Sequence, residues 1–400
     1  MLIVEYIIYF FCIYVTVNML IKFSQEYQTQ KIFVLAFFVR VLLMFADYLQ
    51  LFPIPGSGAD TEAFHLNAVA NQLVICDNWY YITNYDYFLT ILYSLTDCSR
   101  LFAQYMNVIM GMIMLLYLNK TLKELYVDTR IRLQILTITS FMPNIMIFSA
   151  VLLREAWVEM FIMLSLYYFV HWYVRKGQGL HLVMSLSCVM AASWMHAGSI
   201  AVAVGYLVCI LVYDRYTSKI KISKYTYVAL FLVAAFVLLV LANADTLLSK
   251  LGSLEEKSVE EFVADKYNNN EDAGSTYLQW VSLSSPLEIV LYSPLKMFYF
   301  LYSPIPFDWR GLMDIIAFVF DSVIYIFLSY KIIRSKVQIK RYRYLLLFIG
   351  ISFLFATLVF SFGTIASGTA IRHRAKILTL LLVCYGIAMS YNSEFKSLKN

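Results

Sequence analysis

Carboxylate, arginine and histidine side chains lie beside long apolar runs at several points of this 400-residue chain. A carboxylate can act as a general base toward a hydroxyl, and the planar fork of an arginine matches the oxygens of a phosphate. Together these residue types suit transfer of a group from a phosphorylated donor, because positive charge stabilises the departing phosphate. The candidate catalytic residues are Asp60, Glu62, Glu155 and His196, and the candidate anion-binding residues are Arg154, Lys296, Arg310, Arg372, His373 and Arg374.

The adjacent pair Arg154 and Glu155 separates two apolar runs within residues 143–170. Charged side chains in such a position usually face protein or water rather than lipid. The pair has two interpretations, a staple between two helix tips or a part of a site. Consecutive residues of a helix point about 100° apart, so the two side chains cannot pair with each other and also face one partner. As part of a site, Arg154 would reach a phosphate, and Glu155 would orient Arg154 or His196.

The elements that must position these residues are membrane helices. The chain is 61% hydrophobic and 14% charged with a net charge of +5, whereas soluble proteins average about 25% charged residues. Apolar segments of about 20 residues, long enough to cross a hydrocarbon core of about 30 Å, recur along the chain with short links. We therefore predict an all-α polytopic integral membrane protein with one helical domain over residues 1–400.

Hydropathy predicts about eleven transmembrane helices. Two further apolar stretches are not counted as spans, because residues 85–97 are too short and residues 287–303 carry Pro294 and Lys296 in their middle. Both are predicted to be re-entrant or interfacial helices. The predicted spans are 2–22, 31–52, 101–119, 131–150, 155–174, 180–195, 197–213, 225–243, 311–330, 344–362 and 376–391.

Basic residues between the predicted spans indicate the orientation of the chain. The positive-inside rule places such links in the cytoplasm, which predicts an external N-terminus and a cytoplasmic C-terminus. Two long segments, 53–100 and 244–310, then lie outside together with all the candidate site residues. The basic residues that agree lie in the links 22–31, 120–132, 175–176, 215–224 and 331–343 and in the tail 396–399.

The link between the last two predicted spans departs from this rule, since it places Arg372, His373, Arg374 and Lys376 outside. An anion bound at the external membrane surface would explain the departure, and a lipid diphosphate needs several such donors. The small residues within 363–368 would let backbone amides approach a phosphate. The alternative is a loop that binds ordinary anionic headgroups.

The remaining candidates each have a structural alternative. Asp60 and Glu62 could simply open an amphipathic helix, and His196 could be a hydrogen-bonded histidine in a tight turn. Arg40 and Asp47, inside the second predicted span, could pair with other helices for structural or functional reasons. Aromatic residues are mostly packing and interfacial residues, although some outside could stack on sugars. The candidate glycan-contacting residues are His65, Trp79 and Tyr80.

The order of these motifs resembles that of bacterial enzymes of surface-polysaccharide synthesis. The motifs are GADTEAFH after an early span, SAVLLRE at a helix hinge, MHAG at a tip, SPIP and a final IRHR. The resemblance is to Wzy-type O-antigen or capsule polymerases and to GT-C-like glycosyltransferases. It implies a catalytic acid in the first external loop, Asp60 or Glu62, although the acid follows the second span here and the first in the broader GT-C pattern. It also implies that Arg154, Arg372 and Arg374 hold a polyprenyl diphosphate.

The resemblance implies an enzyme of the bacterial cytoplasmic membrane that uses no metal and no cofactor. It would transfer a glycan from a polyprenyl-diphosphate donor to an acceptor sugar at the external face, polymerising O-antigen, capsule or exopolysaccharide repeat units. The expected partners are the lipid-linked oligosaccharide, membrane lipids and other membrane proteins of polysaccharide assembly, and no nucleic acid. The alternatives are a GT-C transferase that uses a polyprenyl-monophosphate sugar and a lipid-linked oligosaccharide flippase. A flippase would need charges through the membrane depth and repeat symmetry.

Overall fold

A computed structural model of the chain describes most of its helical part. Trp79, Tyr80, nearly all of the predicted span 225–243 and most of the external segment 244–310 lie outside the described residues. The described residues are 2–24, 26–73, 83–175, 178–214, 217–221, 226–227, 276–278, 280–281 and 286–392.

The described part is nearly all-α, as predicted, with one two-stranded hairpin of β1 (Tyr213–Asp214) and β2 (Lys219–Ile220). Within the described ranges, ten α-helices precede this hairpin and five follow it. The first ten are α1 (Leu2–Ser24), α2 (Tyr27–Tyr48), α3 (Ala59–Leu73), α4 (Asn84–Ser94), α5 (Arg100–Glu124), α6 (Thr129–Phe141), α7 (Pro143–Phe148), α8 (Glu155–Arg175), α9 (Gly179–Met195) and α10 (Ala203–Val212). The last five are α11 (Pro286–Tyr302), α12 (Leu312–Arg334), α13 (Lys340–Phe362), α14 (Ser367–Ala375) and α15 (Leu378–Ser390).

Four of the described helices, α2, α5, α12 and α13, are long and apolar enough to cross a membrane. A fifth span results if α14 and α15, which are bent by 61° relative to each other, are counted together. Several apolar helices thus support a membrane protein, but the predicted count of about eleven spans is not confirmed.

The predicted spans differ from the helices mainly where a run of apolar residues is broken. The predicted span 131–150 is divided into α6 and α7 at Pro143, whose ring cannot continue the preceding helix. The predicted span 197–213 begins as a 3₁₀ helix over Ala197–Val202 before α10. Both stretches excluded as spans are helical: 85–97 falls largely within the 11-residue α4 and 287–303 within the 17-residue α11, which contains Pro294.

Helix α8 lies at the centre of the described helices and packs most extensively against α5 and α9. It buries residues on all sides, as expected for a helix enclosed by other helices. A close approach between α10 and α13 completes this region, because a Cβ atom at Gly205 would overlap the carbonyl oxygen of Phe348.

The two ends of α8 are about 30 Å apart, given its 21 residues and a rise of about 1.5 Å per residue. At its C-terminal end Arg175 pairs with Glu124, and the link before α2 joins the same end. Glu26 of that link lies 3.1 Å from Lys123 and 2.7 Å from Arg132. Although burial opposes its ionisation, these two cations hold the pKa of Glu26 below its usual value. Basic links predicted to share one side therefore contact each other.

Candidate functional site

The candidate site lies at the other end of α8, where Arg372 of α14 joins two carboxylates. Arg372 donates from Nε to Glu155 Oε1 at 2.6 Å and from Nη2 to Glu155 Oε2 at 3.3 Å. Its Nη1 donates to Asp60 Oδ2. The side chain of Asp60 is 58% exposed and that of Arg372 19%, whereas Glu155 is fully buried. The guanidinium thus connects an accessible carboxylate to a buried one.

Lys376 adds a second cation to the buried carboxylate. Its Nζ lies 3.3 Å from Glu155 Oε1, and its side chain is fully buried. Arg372 and Lys376 are four residues apart, the spacing that brings side chains to one face of a helix. Glu155 is therefore held between two positive charges, which fixes the orientation of Arg372 toward Asp60.

A non-helical break before α8 positions Glu155. Asn107 of α5 donates from Nδ2 to the carbonyls of Val151 and Leu153 at 2.7 and 2.9 Å. Its Oδ1 accepts a 2.8 Å hydrogen bond from Trp157 Nε1. Buried backbone that is neither helix nor sheet needs partners that satisfy its polar groups. Asn107 meets this requirement and fixes where α8 begins.

Arg40 of α2 also contacts this break, at Ser149. It is fully buried and donates from Nε to Ser149 Oγ at 2.9 Å and from Nη1 to Ser140 O at 3.0 Å. The Ser140 carbonyl lies in the last turn of α6, where backbone oxygens have no partner within the helix. Of the two interpretations of Arg40, these contacts favour the structural one.

A turn with two glycines leads into α3 and positions Asp60. Gly56 and Gly58 have φ values of +87° and +129°, a region that residues with a Cβ rarely adopt. Thr61 Oγ1 closes the turn by accepting from the backbone N–H of Gly58 at 3.0 Å. The carboxylate of Asp60 then lies in the first turn of α3, as expected from the sequence.

Arg154 lies beside this site without a direct ion pair to Glu155 in the described part of the chain. Its guanidinium carbon is 6.0 Å from the ring centroid of Phe64, and its charge acts on Glu155, Arg372 and Asp60. Its Nε has no hydrogen-bond partner among the described residues. Arg154 is thus the cation of the site that remains least engaged by carboxylates.

His196 and His373 form an imidazole pair next to the same charges. Their ring centroids are 4.9 Å apart in an edge-on arrangement, and both rings pack on Phe360. His373 Nδ1 is 3.2 Å from Thr364 Oγ1. The structure brings His196 close to the site, but its Nδ1 contacts no hydrogen-bond partner within the described ranges.

Arg374 is placed away from Arg372, although the sequence grouped the two. It is fully buried, donates from Nη1 to the carbonyls of Phe300, Leu301 and Ser303 at 2.7 to 3.1 Å, and pairs with Asp321. Two residues along a helix correspond to a rotation of about 200°, which turns Arg374 to the opposite side of α14. Its contacts join α14 to the end of α11 and to the π-helical turn Phe318–Ser322 within α12.

Glu62 and His65 belong to a second polar group on α3. Glu62 accepts from Arg100 Nη1 at 2.6 Å, and Arg100 also lies 3.6 Å from Asp47. His65 Nδ1 is 2.8 Å from the Tyr93 hydroxyl. Burial, and then the positive charge of Arg100, lowers the pKa of His65. This arrangement separates Glu62 and His65 from the carboxylate of Asp60.

Lys296 and Arg310 are also placed elsewhere. Lys296 is buried in α11 with its Nζ 5.6 Å from the ring centroid of Phe362. Arg310 donates from Nη2 to Thr276 O at 2.6 Å and lines a cavity of about 10 Å³ near Ser367. Such a volume holds one water molecule at most, so this cavity is not a sugar site.

Two further residues belong to the surroundings of the site: Lys376, which the sequence named only among the basic residues of the last link, and Glu159, which it did not name. Each lies four residues after an assigned residue, Arg372 and Glu155 respectively, and that spacing was the available signal. Among the described residues no group of three or more His, Cys, Asp or Glu side chains could hold a metal ion.

Comparison with protein-family models, curated proteins and solved structures gave no match to this chain.

Proposed function

We propose that the protein is a membrane glycosyltransferase that moves a glycan from a polyprenyl-diphosphate donor to an acceptor sugar at the external face of a bacterial cytoplasmic membrane. One observation supports this proposal above the others: Arg372 is locked on one edge by the buried Glu155 and presents its other edge to the exposed Asp60. An oriented arginine next to an accessible carboxylate combines a phosphate-binding group with a general base.

In the proposed mechanism the donor diphosphate takes the Nη1 edge of Arg372 and frees Asp60. Arg154, which forms no ion pair with Glu155 in the described structure, adds a second contact to the diphosphate. The freed carboxylate of Asp60 accepts the proton of the acceptor hydroxyl. The acceptor oxygen bonds to the anomeric carbon, the bond from that carbon to the phosphate oxygen breaks, and the polyprenyl diphosphate leaves.

Glu155 and Lys376 act as positioning residues in this mechanism. Glu155 contacts two guanidinium nitrogens of Arg372, and Lys376 neutralises the carboxylate from its other side. A rigid supporting shell of this kind keeps a binding group within the narrow tolerance that catalysis requires. The external N-terminus and cytoplasmic C-terminus remain part of the proposal, since they place Asp60 where the acceptor glycan would be.

Polymerisation of O-antigen, capsule or exopolysaccharide repeat units is the favoured reaction, and other membrane proteins of polysaccharide assembly are its expected partners. A GT-C transferase using a polyprenyl-monophosphate sugar would use the same oriented arginine. A lipid-linked oligosaccharide flippase is the alternative with an observation of its own, because the ionisable side chains of Arg40 and Glu159 lie buried in α2 and α8, outside the cluster of Asp60, Arg372 and Glu155.

The glycan pattern of cells that lack the protein separates these functions. Lipid-linked single repeat units exposed outside indicate a lost polymerase, and full-length chains lacking one branch sugar indicate a lost single-sugar transferase. Accumulation of lipid-linked units on the cytoplasmic side would contradict transfer and support a flippase. Complementation with Asp60→Asn, compared with Glu62→Gln as a matched control on the same helix, then tests the site. We expect only the Asp60 variant to fail.

A further inference from the structure

Glu159 is a buried carboxyl group that the proposed mechanism does not use. It lies on α8, one helical turn after Glu155, and is 1% exposed. Neither of its carboxyl oxygens has a hydrogen-bond partner among the described residues. Buried carboxylates in proteins are otherwise paired or hydrogen-bonded, so Glu159 is an exception that needs a physical explanation.

The groups around Glu159 come from four elements of the fold. They are Arg40 of α2, Glu155 of α8 itself, Lys376 in the link between α14 and α15, and Tyr325 of α12. The two cations are already engaged by other partners. Arg40 donates to Ser149 and to backbone carbonyls of α2 and α6, and Lys376 lies 3.3 Å from Glu155.

Ionisation of Glu159 would therefore place a second negative charge one turn from Glu155, in an interior where no described donor contacts it. Like charges four residues apart repel each other, and an uncompensated charge in a low-dielectric interior is far more costly than a neutral polar group. The neutral acid removes both costs.

We propose that Glu159 is a proton-binding site, a carboxyl group that is protonated at neutral pH beneath the ionic cluster of Asp60, Arg372, Glu155 and Lys376. The bound proton leaves Lys376 to Glu155, and so maintains the contact that orients Arg372. Removal of the proton creates a second anion that competes with Glu155 for Lys376. This inference concerns the resting protein and does not depend on which substrate the site takes.

Infrared difference spectroscopy of the purified protein in detergent tests the site directly. The carbonyl stretch of a protonated carboxyl group is separate from that of a carboxylate, and it shifts in heavy water. The comparison is between Glu159→Gln and Glu62→Gln, the same substitution at a carboxylate that pairs with Arg100 outside this cluster. The wild-type band should persist in Glu62→Gln and be lost in Glu159→Gln. A spectrum in which Glu159→Gln loses no protonated-carboxyl intensity overturns the proposal.

A second measurement needs no variant. Hydrophobic carbodiimides react with protonated carboxyl groups inside membranes and spare carboxylates, and mass spectrometry locates the adduct. We expect the adduct on Glu159 and not on Glu155, with labelling that falls as the pH is raised. Labelling of Glu155 instead, or none on Glu159 in a protein that still binds the reagent elsewhere, contradicts the proposal. Neither result bears on glycan transfer, so failure of the proposed function stays distinguishable.

Discussion

The buried contact between Glu155 and Lys376 predicts a specific pattern of stability in a double-mutant cycle. Both side chains are fully buried, and Glu155 is held by Lys376 and Arg372 together. Removing one partner of a buried ion pair typically costs about 3–5 kcal/mol, because the other charge is left without compensation. Glu155→Gln leaves two cations in this position, so its cost should lie in that range.

Lys376→Met in the Glu155→Gln background removes one of those two uncompensated cations. The double variant should therefore be more stable than the sum of the single costs predicts, with a coupling energy of about 1–3 kcal/mol. Arg154→Met is the matched control beside Glu155, and it should cost clearly less than Glu155→Gln because Arg154 has no ion pair to Glu155 in the described structure.

The assay is reversible denaturant unfolding of the purified variants in detergent, with expression level and thermal midpoint recorded beside it. If the costs of Glu155→Gln and Lys376→Met add without coupling, the two side chains do not form the contact described. If Arg154→Met is as destabilising as Glu155→Gln, the adjacent pair is a staple and the distinction between its two members is wrong.

Three other predictions follow from the packing and the charges. Gly205→Ala should lower the free energy of unfolding by about 1–3 kcal/mol, because its Cβ would overlap the backbone of α13. The control Gly350→Ala, with open space around its Cβ, should be neutral or stabilising. Equal unfolding midpoints of the two variants would contradict the close approach of α10 and α13. The pKa of His65 is lowered on folding, so the unfolded chain binds more protons than the folded chain below about pH 6.5. The wild type should therefore lose more thermal stability on acidification than His65→Gln does. Parallel pH profiles of the two proteins would contradict this. Arg374→Met should lower the free energy of unfolding by about 3–5 kcal/mol through the loss of its buried contact with Asp321. A variant with normal stability but no activity would contradict this and indicate that Arg374 binds the substrate.

The apolar runs carried most of the information about the fold, and they failed where a local break interrupts them. Helices α2, α5, α12 and α13 were predicted from hydropathy because nothing within their long apolar runs stops them from crossing a membrane. Pro143 was visible in the sequence, but hydropathy averages over a window and hides the break that it causes. The bend between α14 and α15 lacks even a proline or glycine at its position, so tertiary contacts rather than local sequence determine it.

Only part of the site was predicted, because charge and hydropathy indicate the side of the membrane but not the contacts of each side chain. Topology placed Asp60, Glu155 and Arg372 at one end, and the structure brings these three together. The predicted side of the membrane could not distinguish Arg372 from Arg374. Their side chains point to different sides of a helix, which can be said only once residues 367–375 are known to be helical. The same rotation of about 200° separates Asp60 from Glu62 on α3. Side of the membrane is encoded in charge and hydropathy, whereas the partner of each charge depends on packing.

The central claim is that Arg372 binds a lipid diphosphate, and binding of a polyprenyl diphosphate to the purified protein in detergent tests it most directly. Lysine keeps the charge at position 372 but cannot reproduce the two-pronged contact, and a charge-assisted hydrogen bond contributes about 1.5–3 kcal/mol. We therefore expect Arg372→Lys to weaken binding by about tenfold or more, whereas Arg310→Lys, a basic residue placed away from the site, should bind as the wild type does. Equal affinity of the wild type and Arg372→Lys for the lipid diphosphate would contradict the account.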